Sequence, residues 1–511
     1  MATYMAPLAT ANLNLGIVDL LVLLGAVAAS IIVGVRLAGR QDSLETFLVG
    51  GRNLPWWAIL GSIVATETST ATVLSLPGHG YGDTGMKFLQ LACGFLIGRF
   101  LVVHLLLPGF FRGKLFSAYE VLQQRFGVAA TRAASGLFLV TRNVGDGLRL
   151  FLAAIVLQKM AGWSLPISAL AIGLTTIVYT YLGGMRSVVW NDCIQLVIYM
   201  LGGAVSVFLI ARAIPGGWDE VWRFAHAEGK LHIFSIRPPD GTQSWWRWLL
   251  SDPYTLWAGL LGGAALSLGT HGTDQMMVQR YLSARRQPDA GRAIVLSGVV
   301  VFMQFAMFLF IGVQLACYYS HHPEIQFARG DEVYAHFIVH SFPANTGLIG
   351  LMLAAILAAA MSTLSSSLNA SASAVVNDFY LPRCSRRPDE KALLRLSRFL
   401  CAGFGMLQVG IGIWATTFHE SVIGNALTIA GFSAGILLGV FLLGTLTTRV
   451  NQTAALLGAA TGLTILMGLQ FGLPPLGIVV AWPWYPLIGA TVTFLAGQLF
   501  SALRFLYSSQ H

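Results

Sequence analysis

The stretch 346–377, TGLIGLMLAAILAAAMSTLSSSLNASASAVVN, decides how the chain is read. It holds no charged side chain and exceeds the roughly 20 residues that a helix needs to cross a bilayer core. At its centre stands Met361-Ser362-Thr363-Leu364-Ser365-Ser366-Ser367-Leu368-Asn369, with five hydroxyls in six residues. A lone Ser in a membrane helix usually bonds the preceding turn of its own helix. A cluster behaves differently. Ser362 lies one turn from Ser365 and Ser366, and Thr363 one turn from Ser366 and Ser367, so the hydroxyls stack in one strip. A strip of neutral oxygens suits a small hard cation. Sodium is the natural candidate, because the cluster has no acid of its own and a divalent ion calls for a carboxylate cage.

Outward from this segment the whole chain is apolar. Its 511 residues are 55% hydrophobic and 10% charged, against the roughly 25% charged residues of soluble domains. Apolar runs fall near 15–38, 56–78, 86–111, 128–160, 165–183 and 185–213, then 253–282, 290–319, 346–377, 393–417, 421–446, 451–471 and 482–507. An all-α polytopic membrane protein with about thirteen transmembrane helices is expected. The stretch 1–14 carries no charged side chain, so the basic start of a cleavable signal peptide is missing and the first run is expected to stay as a helix.

The net charge of +9 is spread over short loops, which argues for topology signals rather than nucleic-acid binding. Basic loops carry Arg36, Arg40 and Arg52, then Arg112, Lys114 and Arg125, then Arg280, Arg285, Arg286 and Arg292, and finally Arg383, Arg386, Arg387, Lys391, Arg395 and Arg398. By the positive-inside rule these loops face the cytoplasm, which sets the N-terminus outside and the C-terminus inside a cell membrane. The five cysteines show neither a disulfide framework nor metal-ligand spacing.

After the leading helix (15–38), ten spans divide into 56–213 and 253–446, with two peripheral helices in 451–507. Five spans per half force opposite orientations, the pattern of an inverted repeat in one transporter domain. The first span of each half is interrupted in a matched place, by Ala65-Thr66-Glu67-Thr68-Ser69-Thr70 and by Gly269-Thr270-His271-Gly272-Thr273-Asp274. Helix breaks there would free carbonyls at mid-membrane to complete an ion's shell begun by hydroxyls. Asp192 is the intramembrane acid expected nearby, or else a helix cap near the cytoplasmic face.

These residues carry a resemblance to the solute:sodium symporter family, which includes sodium/glucose, sodium/proline, sodium/iodide and sialic acid transporters. Matching motifs are Gly51-Arg52, Pro77-Gly78, Ser117-Ala118-Tyr119-Glu120 with Arg125-Phe126-Gly127, and Gly183-Gly184-Met185 running to Trp190, Asp192 and Gln195. Further on come Gly272-Thr273-Asp274-Gln275 with Gln279-Arg280, Ala359-Ala360-Met361-Ser362-Thr363 with Asn369 and Asp378, and Gly435 to Gly444. The resemblance implies a leucine-transporter-type five-plus-five inverted repeat. It also implies a sodium site where carbonyls of Ala65, Thr68 and Ala359 meet the hydroxyls of Ser362 and Thr363. The sialic acid branch adds a second sodium site, matched here by Ser365, Ser366 and Asp192 with Ser362 shared.

Solute specificity carries over less well. The sugar branch's aromatic gate is matched by Thr270 beside His271, and its sugar-binding acid by Ala92, which argues against a galactose-like binding mode. Candidate pocket residues are Glu67, Ser69, Thr70, Thr72, Thr270, His271, Asn425 and Thr428, from the broken helices and the tenth core span. The partners expected are therefore sodium, the lipid bilayer and a small solute: a sugar, monocarboxylate, amino acid or vitamin-like compound.

Other signals are bland. Asp146 and Arg149, spaced i, i+3, are expected to neutralise each other. His336 and His340 lack the Glu of a zinc-protease motif, so a metal site is not expected there. Glycines in 78–85 precede no Walker A lysine, and Asn369 and Asn451 stand where glycosylation would not reach. Two other classes stay open: a sodium-binding sensor or channel without coupled transport, and a membrane-embedded enzyme, which would need a His-acid or metal motif.

Overall fold

In hydrocarbon every backbone N–H and C=O must be satisfied within the protein, so long apolar runs become helices. The computed structural model describes residues 16–508 except 239–243, 328, 387 and 418–419, and leaves out the side chains at 71, 156, 159–161, 420–423, 425 and 505–508. The stretch 1–14, Arg387 and the side chain of Asn425 thus lie outside the described residues.

The main helices run α1 Ile17–Ala38, α2 Trp56–Glu67, α3 Thr70–Tyr81, α4 Leu89–Leu101, α5 Val128–Ala161 and α6 Leu165–Ala213. There follow α7 Gly263–Thr273, α8 Gln275–Leu282, α9 Gln287–Ser320, α10 Gly330–Ser341 and α11 Leu348–Ala374. The chain closes with α12 Glu390–Trp414, α13 Glu420–Leu446, α14 Gln452–Met467 and α15 Trp484–Ser508. Among the described residues the β content is one isolated bridge, Leu54 to Ala284. The chain is an all-helical polytopic membrane protein.

Nine helices among the described residues are long and apolar enough to span a membrane, or ten when α2 and α3, bent by 63°, count as one. Three features account for the difference from thirteen. The runs 165–183 and 185–213 join into the single 49-residue α6, which turns at Gly184 (φ 54°, ψ −149°). A Cβ on Gly184 would stand 2.5 Å from the Phe47 carbonyl oxygen, so the turn admits only glycine. α5 carries Arg132, Arg142, Asp146 and Arg149, which lower its hydropathy. The expected span 253–282 is divided into a π-helical turn at Ala258–Gly262, α7 and α8, each piece too short to cross.

α11 forms the centre: 83% of the apolar window in Leu348–Arg383 is buried, against 22% for α1 and 28% for each of the last two spans. A helix apolar all round is a core helix, and α11 packs against α1, α5, α6 and α12. α1 is nonetheless fastened to it. The buried Asp19 carboxylate accepts the N–H groups of Asn345 and Gly347, both at 2.8 Å, just before α11 begins. α3 and α9 touch backbone to backbone: a Cβ on Gly80 would stand 2.1 Å from Leu309 O, and one on Gly312 2.0 Å from Pro77 O.

Candidate ion and solute site

The first broken helix ends because Thr68 leaves helical geometry (φ −79°, ψ 105°) and Ser69 stays extended. Ser69 then caps α3: its hydroxyl accepts Thr72 N–H at 3.4 Å, and its own N–H donates to Thr72 Oγ1 at 3.2 Å. Two of the candidate pocket residues are therefore engaged in closing the break. The second break falls at Asp274 (φ −78°, ψ 123°), whose Oδ1 accepts Met276 N–H at 2.8 Å. Thr270 and His271 belong to the still-helical α7, so the interruption is one residue wide rather than the six expected from Gly269 to Asp274.

The hydroxyl strip of α11 faces the first break. Thr363 Oγ1 lies 3.3 Å from Thr66 O and 3.4 Å from Ala359 O. Ala65 packs in a buried cluster with Tyr199 and Ala355. Thr68 is held by its side chain: its Oγ1 donates to Val64 O at 2.7 Å and accepts from Gln304 Nε2 at 2.8 Å and from the Tyr199 hydroxyl at 3.2 Å. Of the first expected sodium set, Thr363 and Ala359 are in contact, while Ser362 turns its hydroxyl to Asp192 Oδ1 at 2.7 Å. The carbonyl that Thr363 meets on the broken helix is that of Thr66, not Ala65 or Thr68.

Asp192 has 0% exposure and lies inside α6, eight residues past the turn at Gly184 rather than at a helix start. Its Oδ2 accepts from Ser62 Oγ at 2.5 Å and from Thr66 Oγ1 at 3.3 Å, and meets Arg280 Nη2 at 3.1 Å. The Arg280 guanidinium, 1% exposed, also donates through Nε to Ser62 Oγ at 2.8 Å, through Nη1 to Met276 O at 2.5 Å, and through Nη2 to Thr66 and Ser366. Ser366 Oγ donates to Ser362 O at 2.8 Å and Ser365 Oγ to the same carbonyl at 3.1 Å. Every hydroxyl proton in this group points at the carboxylate or a carbonyl, and the guanidinium supplies the remaining donors. The network is internally satisfied and electrically neutral.

Arg280, read from the sequence as part of a motif and as one of the charges of a cytoplasmic loop, is instead buried within α8, and it is the residue that sequence reasoning missed as a site member. An ionisable residue six positions past the break at Asp274 is itself the signal.

A second ion pair stands at the same break. Glu67 Oε2 pairs with Arg99 Nη2, with His271 Nε2 at 3.7 Å. Arg99 Nη1 donates to Ser297 Oγ at 2.5 Å. Glu67 thus ties the last turn of α2 to α4 and to α7. Thr270 Oγ1 donates to Leu266 O at 2.9 Å and lies 3.2 Å from His271 Nδ1. Thr70 Oγ1 reaches Ile356 O on α11 at 3.5 Å, while Thr428 bonds Gly424 O within its own helix α13 at 3.0 Å. Asp146 pairs with Arg149 at 2.7 Å as expected, and Arg142 joins it at 3.0 Å.

Residues 47–462 match the family model described as "Sodium:solute symporter family". The chain is 28% identical over 445 residues to the sodium-dependent multivitamin transporter of Oryctolagus cuniculus, covering 84% of this chain and 66% of that protein. It thus spans just under two thirds of that relative's length. To the sodium/sialic acid symporter of Proteus mirabilis it is 28% identical over 502 residues, covering 96% of each. A solved sodium-coupled sialic acid symporter, in a substrate-bound outward-open state, matches with a TM-score of 0.84 at 26% identity, covering 96% of this chain and 98% of that one. The architecture is therefore leucine-transporter-like. With one family model spanning both broken helices and the strip between them, and a solved relative following the backbone almost end to end, this multi-pass membrane chain belongs to the sodium:solute symporter family, whose members are transporters and not enzymes.

Proposed function

We propose that the chain imports a small organic solute by sodium-coupled symport, with the two inverted halves 56–213 and 253–446 rocking about a fixed mid-membrane site. Thirteen crossings follow when the turn at Gly184 divides α6 in two and when α5 and the α7–α8 pair each count as a span. The charge of the short loops then sets the N-terminus outside and the C-terminus inside.

The observation that carries the reading is the meeting of Thr363 Oγ1 with the carbonyl of Thr66 at the first helix break, 3.3 Å away. Sodium is assigned to the space between that break and α11, with Ala65, Thr68, Ala359, Ser362 and Thr363 as its oxygen ligands. A second sodium at Ser362, Ser365, Ser366 and Asp192 needs Arg280 to leave Asp192 and Ser366 first, because the guanidinium already neutralises that carboxylate. The solute is assigned to the candidate residues Glu67, Ser69, Thr70, Thr72, Thr270, His271, Asn425 and Thr428. Its class is left among sugars, monocarboxylates, amino acids and vitamin-like compounds, in keeping with the different solutes in the names of the multivitamin and sialic acid relatives.

The energetics are sufficient. One sodium crossing about 100 mV gains roughly 2.3 kcal/mol, and a tenfold gradient adds about 1.4 kcal/mol. One ion per cycle therefore supports a solute gradient of several-hundred-fold. The test is uptake into proteoliposomes across a panel of sugars, monocarboxylates, amino acids, vitamins and small anions. Uptake of one class with sodium outside, falling to background with choline, is expected. Uptake that proceeds equally with sodium, lithium or choline would sink the proposal.

A further inference from the structure

α10 lies outside the ion and solute site and presents His336 and His340 one turn apart. Their rings stack with centroids 4.0 Å apart and planes 21° from parallel. His340 Nδ1 stands 2.9 Å from the His336 backbone carbonyl. A carbonyl only accepts, so Nδ1 carries the proton and Nε2 presents a lone pair. His336 Nδ1 stands 2.9 Å from the Tyr319 hydroxyl, which leaves Nε2 as the other nitrogen of that ring. The rings of Phe327 and Tyr319 pack on His336 at 5.2 and 5.9 Å and fix its orientation, while His340 is exposed.

We propose that His336 and His340 form a binding site for a borderline divalent metal of the zinc class, and that its occupation slows the transport cycle. Two histidines at i, i+4 share one helix face, the spacing at which two imidazoles reach one ion. Zinc takes imidazole nitrogen at about 2.0–2.1 Å, so the stacked rings fan apart slightly to converge on it. Each donated nitrogen is oriented by a hydrogen bond on the other side of its ring, as metal-ligating histidines usually are. Among the described residues no group of three or more His, Cys, Asp and Glu is placed to hold a metal. The ion is therefore held by two protein ligands and water, which makes it exchangeable rather than structural.

The consequence for transport comes from where α10 rests. A Cβ on Gly78 of α3 would stand 2.5 Å from Gly330 O, so the start of α10 sits against the outer half of the first broken helix. Tyr334 of the same helix donates to Ser206 Oγ on α6 at 2.6 Å. A metal bridging one turn of α10 stiffens one of the elements against which α3 packs, and motion of α3 is slowed.

Zinc chloride titrated calorimetrically into the purified full chain in detergent tests the site. One saturable site per chain is expected, weakened about tenfold or more in His336→Ala and in His340→Ala. A His321→Ala/His322→Ala double variant serves as the control and should bind as the parent does. No saturable binding, or binding unchanged in both single variants, would overturn the site. In proteoliposomes, zinc should slow uptake by the parent and leave His340→Ala unaffected. Uptake indifferent to saturating zinc would overturn the coupling to transport. The calorimetric arm needs neither sodium nor solute, so its failure is distinct from failure of the symport proposal.

Discussion

Replacing Asp192 by Asn removes one charge from a fully enclosed group of polar side chains. Asp192 and Arg280 are 0% and 1% exposed, and the carboxylate receives Ser62 at 2.5 Å, Ser362 at 2.7 Å, Arg280 at 3.1 Å and Thr66 at 3.3 Å. In Asp192→Asn the retained oxygen can still serve Ser362. The new amide N–H₂ then faces Ser62 and Arg280, which are themselves donors. A buried charge left without its counter-charge costs about 3–5 kcal/mol. Arg280 keeps Met276 O and the hydroxyls of Thr66 and Ser366, so the lower end, about 3 kcal/mol, is expected. Arg280→Met alone should cost a similar amount by stranding Asp192. The double variant Asp192→Asn/Arg280→Met strands nothing, so it should recover on the order of 2 kcal/mol relative to the sum of the singles. Equilibrium unfolding of the four proteins in detergent measures this cycle. A single variant within about 1 kcal/mol of the parent, or a double variant that is merely additive, would refute the pairing.

Glu67→Gln should leave Arg99, 0% exposed, without its counter-charge, lowering stability by about 3 kcal/mol, and pairing it with Arg99→Met should restore most of that in the same unfolding assay. Lys230 donates to Tyr81 O at 2.8 Å and Gly82 O at 3.0 Å, and burial holds its ammonium below the usual lysine range. Lys230→Met should therefore fray the end of α3 by about 1–2 kcal/mol, seen as faster hydrogen exchange over 78–82, and unchanged exchange would count against the cap. Gly80→Ala drives a methyl to within 2.1 Å of Leu309 O and should cost about 1–3 kcal/mol by forcing α3 from α9, whereas Gly136→Ala, which meets no atom within 4 Å, should be neutral in the same assay.

What the sequence conveyed and what it withheld divide along chain distance. The run 346–377 announced a central span because it carries no charge and a local strip of hydroxyls, and both are properties of neighbouring residues. The division of the apolar runs at Gly184 and the Asp146–Arg149 pair were readable for the same reason. The second break was located but read too broadly: Thr270 bonds back to Leu266 O, keeps α7 helical, and leaves Asp274 as the interruption. Ser69 and Thr72 read as pocket residues, yet a hydroxyl one residue before a helix and another at its third position also fit a cap, and the cap is what forms. The Asp192–Arg280 pair joins residues 88 positions apart, and Thr66 meets Ser366 across 300. Nothing local encodes such partners. The only sequence signal for them is the high cost of an unpaired charge at membrane depth, which demands a partner without naming it.

Sodium itself can be tested before any solute is known. The thermal unfolding midpoint of the purified chain would be followed as sodium chloride replaces choline chloride at constant ionic strength, in the parent and in Thr363→Ala. Binding to the folded state alone stabilises by about 2.7 kcal/mol when sodium reaches a hundred times its dissociation constant. The midpoint should therefore rise with sodium in the parent, and the rise should move to higher concentration in Thr363→Ala. Identical midpoints in sodium and choline, or the same sodium dependence in both proteins, would contradict a sodium site between the first helix break and the hydroxyl strip.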